Sequence, residues 1–384
     1  MKVAQVHNSY LQLTGDDAVV REEQLLLEDN GHSVISFFKS NSVLQEASVI
    51  QKIKYGLALK SSKGVGKEFS SFLQKEQPNV VHVHNIFPLI TPVIFEVCYQ
   101  HKIPVVQTLH NYRLLCINTL FYRDGHTCED CLTHSFSEGI KNRCYNGSAT
   151  QSKLMARALE YHREKNTWNR YVDRFICLSD FAKSKFIQGG IEEKKLLVKP
   201  NFVRDPKATP SYENYWLYAG KLENQKGLDD FLNLAKQTPH VNYKVAGYCE
   251  NEGVFSSFAN VNYMGQLKRE ELMSHMEGCV GVLFLSKMYE GMPMTILEAF
   301  AHKKMVIARN QGAMRDMITH GENGLLYDNM RELREHVVQF QESGEYKTLG
   351  QEAYKAYKAK YSEKLAYENL MSIYREVIMA NGEK

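Results

Sequence analysis

Along the first half of the chain, short apolar runs alternate with stripes of apolar positions at helical spacing. Val3–His7, Ser33–Phe38, Val80–His84, Val105–Thr108 and Phe175–Leu178 are β-rich runs. Between them lie helical patterns: Asp17–Asn30, closed by Gly31, then Thr91–His101, Gln151–Val172 and Asp180–Gln188. Such alternation predicts a parallel sheet with helices on both faces. Pro200, Pro206 and Pro210 then mark a linker. The second half repeats the scheme. Its strands are Tyr215–Ala219, Tyr243–Ala246, Val280–Leu285 and Met305–Ala308, and its helices Gly227–Lys236, Glu270–Glu277, Pro293–Ala301 and Arg331–Gln341. From Glu345 the pattern is helical and polar, with Tyr354, Tyr357, Tyr361 and Tyr367 near helical spacing.

The expected fold is therefore α/β: two doubly wound, Rossmann-like domains facing a cleft, with ligands at the C-terminal ends of the strands. The 384 residues suit two domains of ordinary size. The division read from the pattern is 1–203, with a cysteine-rich insertion at about 111–150, then 204–362, then a C-terminal helix over 363–384 that returns to the first domain.

Charge changes this picture little. The net +3 is uneven, with +5 over residues 1–200 and −2 over 201–384. Lys52, Lys54, Lys60, Lys63 and Lys67 follow one another with no acidic residue between them. They read either as a solvated helix face or as an attachment to an anionic membrane surface, each lysine adding about 1 kcal/mol near lipid. Interleaved aromatics are too few for a nucleic-acid groove. No apolar run approaches the roughly 18 residues of a membrane helix. The first residues enter a strand pattern with no secretory segment, so a cytoplasmic protein is expected, peripheral at most on the inner membrane face.

Candidate chemistry centres on Glu290-Gly291-Met292-Pro293-Met294-Thr295-Ile296-Leu297-Glu298. This reads as a loop delivering one carboxylate and a helix carrying another. Pro293 suits the first helical turn, and the free N–H groups there favour an anion. Upstream, Lys221 and Lys226 flank a strand-to-helix loop between Gly220 and Gly227, and two cations at such a junction suit a diphosphate. Gly247, Gly265 and Gly312 mark further turns where a nucleotide can approach the backbone, and Leu267 is placed to pack on a base. Loop Glu290 can hold sugar hydroxyls, and Glu298 a ribose diol.

These residues carry a resemblance. Gly220-Lys221 with Lys226-Gly227, the Glu290/Glu298 pair and Gly324-Leu325-Leu326-Tyr327 resemble the retaining family-4 glycosyltransferases, which have the GT-B fold. Thr108-Leu109-His110-Asn111-Tyr112-Arg113, Cys177-Leu178-Ser179-Asp180-Phe181 and Lys199-Pro200-Asn201 resemble further segments of that family, so the likeness covers nearly the whole chain. It implies that Lys221 and Lys226 bind the diphosphate of a UDP- or GDP-sugar, the first being lysine where many members have arginine. It implies that Glu298 holds the ribose, and that Glu290 with the backbone of Gly291, Met292 and Met294 holds the donor sugar. His110 would reach that sugar from the first domain, as a hydrogen-bond donor. Gly15 and Asp16 would lie under the phosphates, where members often carry a glycine pair and this chain has Thr14-Gly15.

The implied activity is retaining transfer of a sugar to a lipid-linked or surface-polysaccharide acceptor. The leaving phosphate takes the acceptor proton, and His110 and Glu290 are the catalytic residues. Two lysines and a helix end can stabilise the leaving charge without a required cofactor. A nucleotide-sugar epimerase or hydrolase of the same fold, and a non-catalytic carbohydrate-binding protein, are the alternatives.

Cys116, Cys128, Cys131 and Cys144 are spaced C-x11-C-x2-C-x12-C within a segment too long for an ordinary loop. They read as a structural zinc site, or as free thiols or a labile disulfide, with His126 and His134 as substitute ligands. A cysteine-containing insertion of this kind resembles one in a bacterial surface-polysaccharide subgroup of the family. Cys98, Cys177, Cys249 and Cys279 read as small core residues. His82 and His84 alternate on one strand and share a face. They read as a metal pair or as a strand end opening on the cleft, with His84 and Asn85 near the acceptor.

Overall fold

The computed structural model describes residues 1–10 and 15–382, without the side chains of residues 49, 50, 52 and 53. Thr14 and the Lys52 side chain lie outside the described residues. The chain divides into two compact units. One comprises Met1–Phe121, Glu129–Pro200 and the segment from Ala366 on; the other comprises Tyr122–Cys128 and Asn201–Leu365.

The first unit is built on six parallel strands in the order β2-β1-β3-β4-β7-β8. These are β1 (Lys2–Ser9), β2 (Ser33–Ser40), β3 (Val80–Val83), β4 (Val105–Leu109), β7 (Arg174–Cys177) and β8 (Leu196–Val198). A small antiparallel hairpin, β5 (Tyr122–Arg123) with β6 (His126–Thr127), sits in the cysteine segment and groups with the second unit. Strands β3 and β4 are buried along their whole length, as expected of a sheet covered on both faces. The helix Glu363–Gly382 supplies part of that cover. Its Leu370, Ile373, Tyr374 and Val377 pack on Val3, Val80, Val106 and Ile176. Each fully buried aliphatic side chain there contributes roughly 1.5–3 kcal/mol, so this helix is integral to the first unit. The expected helix over Gln151–Val172 is broken. It runs Ala149–Glu164, and Asn166 at φ 50° turns the chain before Thr167–Tyr171.

The second unit has six parallel strands in the order β11-β10-β9-β12-β13-β14. They are β9 (Trp216–Ala219), β10 (Tyr243–Ala246), β11 (Val261–Tyr263), β12 (Gly281–Phe284), β13 (Met305–Arg309) and β14 (Leu325–Tyr327). Its core gathers Trp216, Tyr218, Phe231, Tyr243, Leu283, Ile307 and Tyr327. In each sheet the strand order reverses once, between β1 and β3 and between β9 and β12. In open α/β sheets ligands bind outside the carboxyl ends of the strands at such a reversal. Each unit therefore has one favoured place for a site.

Candidate active site

In the second unit, the loops after β9 and β12 meet at the reversal. Gly220 ends β9 at φ 139°, and Gly227 at φ 90° starts the helix Leu228–Gln237. A Cβ on Gly227 would meet the Leu285 carbonyl oxygen at 2.3 Å, so the β9 loop is pressed against the β12 loop. That contact brings Lys226 to Glu290. The Lys226 ammonium donates to Glu290 Oε1 at 2.8 Å, and the Ser286 hydroxyl donates to the same oxygen at 2.6 Å. Lys221 is half exposed and ion-paired with Glu223. Sequence reasoning gave Lys226 to phosphate and Glu290 to sugar, whereas here they hold each other.

The helix Met294–Ala301 follows. Pro293 is its N-cap rather than a member of its first turn, and no side chain caps this end. Gly291 lies in the loop before it. Met292 is buried, and its sulfur accepts from the Asn201 N–H at 3.1 Å. Thr295 is half-buried in the first turn. Glu298 is buried one turn further in, and Arg269 Nη1 lies 2.8 Å from its Oε1. Burial pushes the Glu298 carboxyl up, and Arg269 opposes that shift. Arg269 opens the helix Arg269–Gly278, just beyond Gly265 and half-buried Leu267. Gly247, at φ 137°, ties these turns together: its N–H donates to the Gly265 carbonyl at 2.8 Å, and a Cβ on it would meet the Gly220 carbonyl oxygen at 1.7 Å. Sequence reasoning missed Ser286 and Arg269. Arg269 stands two residues past the Leu267 already singled out, which was the available signal.

In the first unit, a buried polar network occupies the reversal between β1 and β3. His84 follows β3 and His110 follows β4. His84 Nδ1 and His110 Nε2 are 2.9 Å apart, with the rings stacked. His82 Nε2 pairs with the Thr108 hydroxyl at 2.8 Å, and its Nδ1 with the Tyr374 hydroxyl at 2.7 Å. Glu23, from the helix Gly15–Asp29, is only 2% exposed. Its Oε1 lies 2.8 Å from His82 Nδ1 and 3.5 Å from His84 Nε2, and its Oε2 lies 3.4 Å from the Lys199 ammonium. Oε1 has no hydrogen-bond partner of full geometry among the described residues, so these are close polar contacts. Burial alone would raise the Glu23 carboxyl, but His82 and Lys199 outweigh it and hold it well below the usual range. Burial, then His82, pushes His84 well below the usual imidazole value. Burial lowers His110 too, with Asp16 opposing. Gly15 is exposed and Asp16 half-buried at the start of their helix, beside Asp17, which pairs with His7 at 2.9 Å. Burial, then Asp16, pushes the Tyr10 hydroxyl up to about 12.

One expectation changes here. His82 and His84 do not open outward from a strand end; they are 0% and 4% exposed and partnered internally. Asn85 is buried as well, donating to the Asn8 carbonyl at 2.9 Å. Glu23, His82 and His84 also form, among the described residues, the set of metal-ligating side chains with donor atoms within 4.8 Å of one another. The cysteine quartet is not part of that set. Cys116 and Cys131 are buried, Cys128 and Cys144 half-buried, and His126 and His134 exposed. Burial, then charge at Cys116, pushes the Cys131 thiol up to about 12, with Cys144 adding. Cys98, Cys177, Cys249 and Cys279 are buried.

Residues 19–205 match the model of Glycosyltransferase Family 4, and residues 201–356 match that of Glycosyl transferases group 1. The chain is a glycosyltransferase of the GT-B fold. An uncharacterized glycosyltransferase of Methanocaldococcus jannaschii is 25% identical over 214 residues, 53% of this chain. The match spans 60% of that relative's length. Among solved structures, this glycosyltransferase is similar to a sucrose-phosphate synthase from Thermosynechococcus elongatus, with a TM-score of 0.73 at 14% identity over 99% of both chains. HepE of Anabaena, in complex with UDP and glucose, superposes with a TM-score of 0.65 at 16% identity, covering 98% of this chain and 100% of that one. The lipopolysaccharide outer core galactosyltransferase WaaB gives 0.63 at 16% identity, over 96% and 98% of the two chains. At such identities the glycosyltransferase shares the fold with these structures. No helix among its described residues is long and apolar enough to cross a membrane.

Proposed function

We propose that this glycosyltransferase transfers a sugar, with retention of configuration, from a nucleoside-diphosphate donor to a lipid-linked or surface-polysaccharide acceptor. The observation that carries this reading is the second-unit site: Lys226, Glu290 and Ser286 joined at the strand-order reversal, with Glu298 buried one turn into the helix that follows. HepE, bound to UDP or UDP-glucose, is a structural neighbour and supports a nucleotide-sugar donor. In this account the donor diphosphate draws Lys226 off Glu290 and lies against Lys221 and the uncapped end of Met294–Ala301. Glu290, released, accepts from the sugar hydroxyls. Glu298 leaves Arg269 for the ribose diol, and Leu267 packs on the base. As the bond to the anomeric carbon breaks, charge grows on the phosphate, where lysines and helix N–H groups stabilise it most. Residues of the first unit, His110 among them, serve the sugar and acceptor side. Hydrolysis of a panel of nucleotide-sugars, with the anomer of the product read by NMR, tests the reading.

Two further readings are proposals with tests of their own. Lys54, Lys60, Lys63 and Lys67 are exposed, as is Leu57 at 67%. They would attach the protein to anionic membrane, which co-sedimentation with anionic against neutral vesicles decides. The cysteine quartet would hold a structural zinc. Metal analysis of tag-free protein supports it at about one equivalent and removes it at trace levels.

A further inference from the structure

The first unit holds a cavity outside its buried polar network, built where two turns interrupt the helices. Asn166, at φ 50°, breaks the long helix, and Gly190, at φ 90°, follows the end of the helix Asp180–Gln188. Asn169 clamps these turns together. Its NH2 donates to Asn166 Oδ1 and to the Gly190 carbonyl, both at 2.9 Å, and its own Oδ1 accepts from the Glu192 N–H at 2.9 Å. The cysteine segment closes another side. Its Leu115 presses on the helix end, where a Cβ on Gly189 would meet Leu115 Cδ2 at 2.1 Å. The enclosed space is about 300 Å³, the small end of the range for ligand pockets. Trp168 and Ile191 line it from segments that precede β7 and β8, so it lies away from the carboxyl ends of the strands, where His84 and His110 follow β3 and β4.

The polar side chains on its walls are short of acceptors. Arg163 is exposed and stands over the Phe136 ring at 5.7 Å, with no ion pair or side-chain hydrogen bond among the described residues. Trp168 is only 6% exposed and packs on Phe95 and His162, yet its indole N–H has no acceptor among the described residues. A donor left unmade in a largely buried side chain is costly. The amide oxygens of Asn166 and Gln188 already accept, from Asn169 and Lys185, which leaves their NH2 groups to donate. None of the described residues that line the cavity is acidic, and Leu115, Leu132 and Ile191 give it an apolar floor. Its complement has acceptor oxygens, a negative charge and an apolar body. One cation balances one charge, and the guanidinium fork matches a planar carboxylate. We propose that this cavity is a second ligand site, for a small organic monocarboxylate whose carboxylate meets Arg163 and Trp168 and whose body rests on Leu115, Leu132 and Ile191. Binding stabilises the cysteine segment, which supplies Leu115, Cys131 and Leu132 to the wall.

Titrating sodium benzoate into full-length protein labelled with nitrogen-15 at tryptophan tests this. The chain has two tryptophans, and Trp216 lies in the core of the second unit at 0% exposure. Trp168→Phe assigns the two indole signals. The Trp168 signal is expected to shift saturably at about millimolar benzoate, the affinity open to so small a ligand, while the Trp216 signal stays in place. Arg163→Gln, at an exposed position that leaves the core intact, is expected to weaken binding about tenfold or more. Benzamide, the neutral isostere, is expected to leave the Trp168 signal unmoved. No shift with benzoate, an equal shift with benzamide, or unchanged affinity in Arg163→Gln would each overturn the proposal. Inorganic phosphate tests the other oxyanion, and tighter binding of phosphate than of benzoate would overturn the carboxylate assignment. Calorimetry of benzoate with wild type and Arg163→Gln makes the same comparison without Trp168→Phe. Neither readout uses nucleotide or turnover, so failure here is separate from failure of the transferase reading.

Discussion

Lys226 and Glu290 form a salt bridge of 2.8 Å between the two loops that meet where the second sheet reverses its strand order. In the proposed function the donor would separate this pair, taking Lys226 for its phosphate and Glu290 for its sugar.

Removing either partner should therefore have unequal effects. Lys226→Ala should weaken UDP or GDP binding about tenfold to a hundredfold, the worth of one hydrogen bond to a charged group, about 1.5–3 kcal/mol. Glu290→Ala frees the lysine, so nucleotide binding should hold or tighten while turnover falls by about 10²–10³ or more. Titration calorimetry beside a turnover assay separates the two. Equal loss of binding in both variants would contradict the assigned roles.

Glu298 has a raised carboxyl in the folded protein, so the folded state holds its proton more tightly than the unfolded chain. Its contribution is fully present below the unfolded value near 4.5 and is lost as pH rises through the folded value. Glu298→Gln should remove that loss, giving a urea midpoint that declines less than wild type's from about pH 4.5 upward. The same variant should weaken nucleotide binding before it affects any other step.

The buried network of the first unit has the opposite sign. His84 is depressed below 6.5 and Glu23 below 4.5, so both release protons more readily when folded. Their contribution is present above those values. It is lost as pH falls, first through the imidazole range and then through the carboxylate range. Glu23→Ala leaves Lys199 buried without its partner, which costs about 3–5 kcal/mol. Chemical denaturation at neutral pH should show that loss.

Gly247→Ala should destabilise through backbone alone. The residue sits at φ 137°, and the added methyl meets the Gly220 carbonyl at 1.7 Å, so the loop that carries Lys221 must shift. Strain of this kind costs about 1–3 kcal/mol. A lower Tm together with weaker nucleotide binding is the expected result, and a variant with both unchanged would count against the close approach of the two turns.

Much of this fold was legible because its signals are local. Asp180–Gln188 matches residue for residue, since Ser179 caps it from its own side chain and a glycine ends it. The Glu290/Glu298 pair was legible for the same reason: loop, proline and apolar run lie within nine residues. The break at Asn166 was not, because an asparagine in left-handed geometry leaves no gap in the apolar stripe. Glu23 was missed because it sits in an ordinary amphipathic helix. Only the sheet brings it to His82 and His84, about sixty residues away in sequence. Arg269 was missed because a surface arginine at a helix start needs a buried carboxylate opposite before it means anything.

The most direct test is to titrate UDP and GDP into wild-type protein and then to assay hydrolysis of the matching nucleotide-sugars in wild type and Glu290→Ala. The account predicts that one nucleotide binds, that a sugar derivative of it turns over, and that the variant binds it without turnover. If neither nucleotide binds at millimolar concentration, the assignment of the second unit as a donor site is wrong.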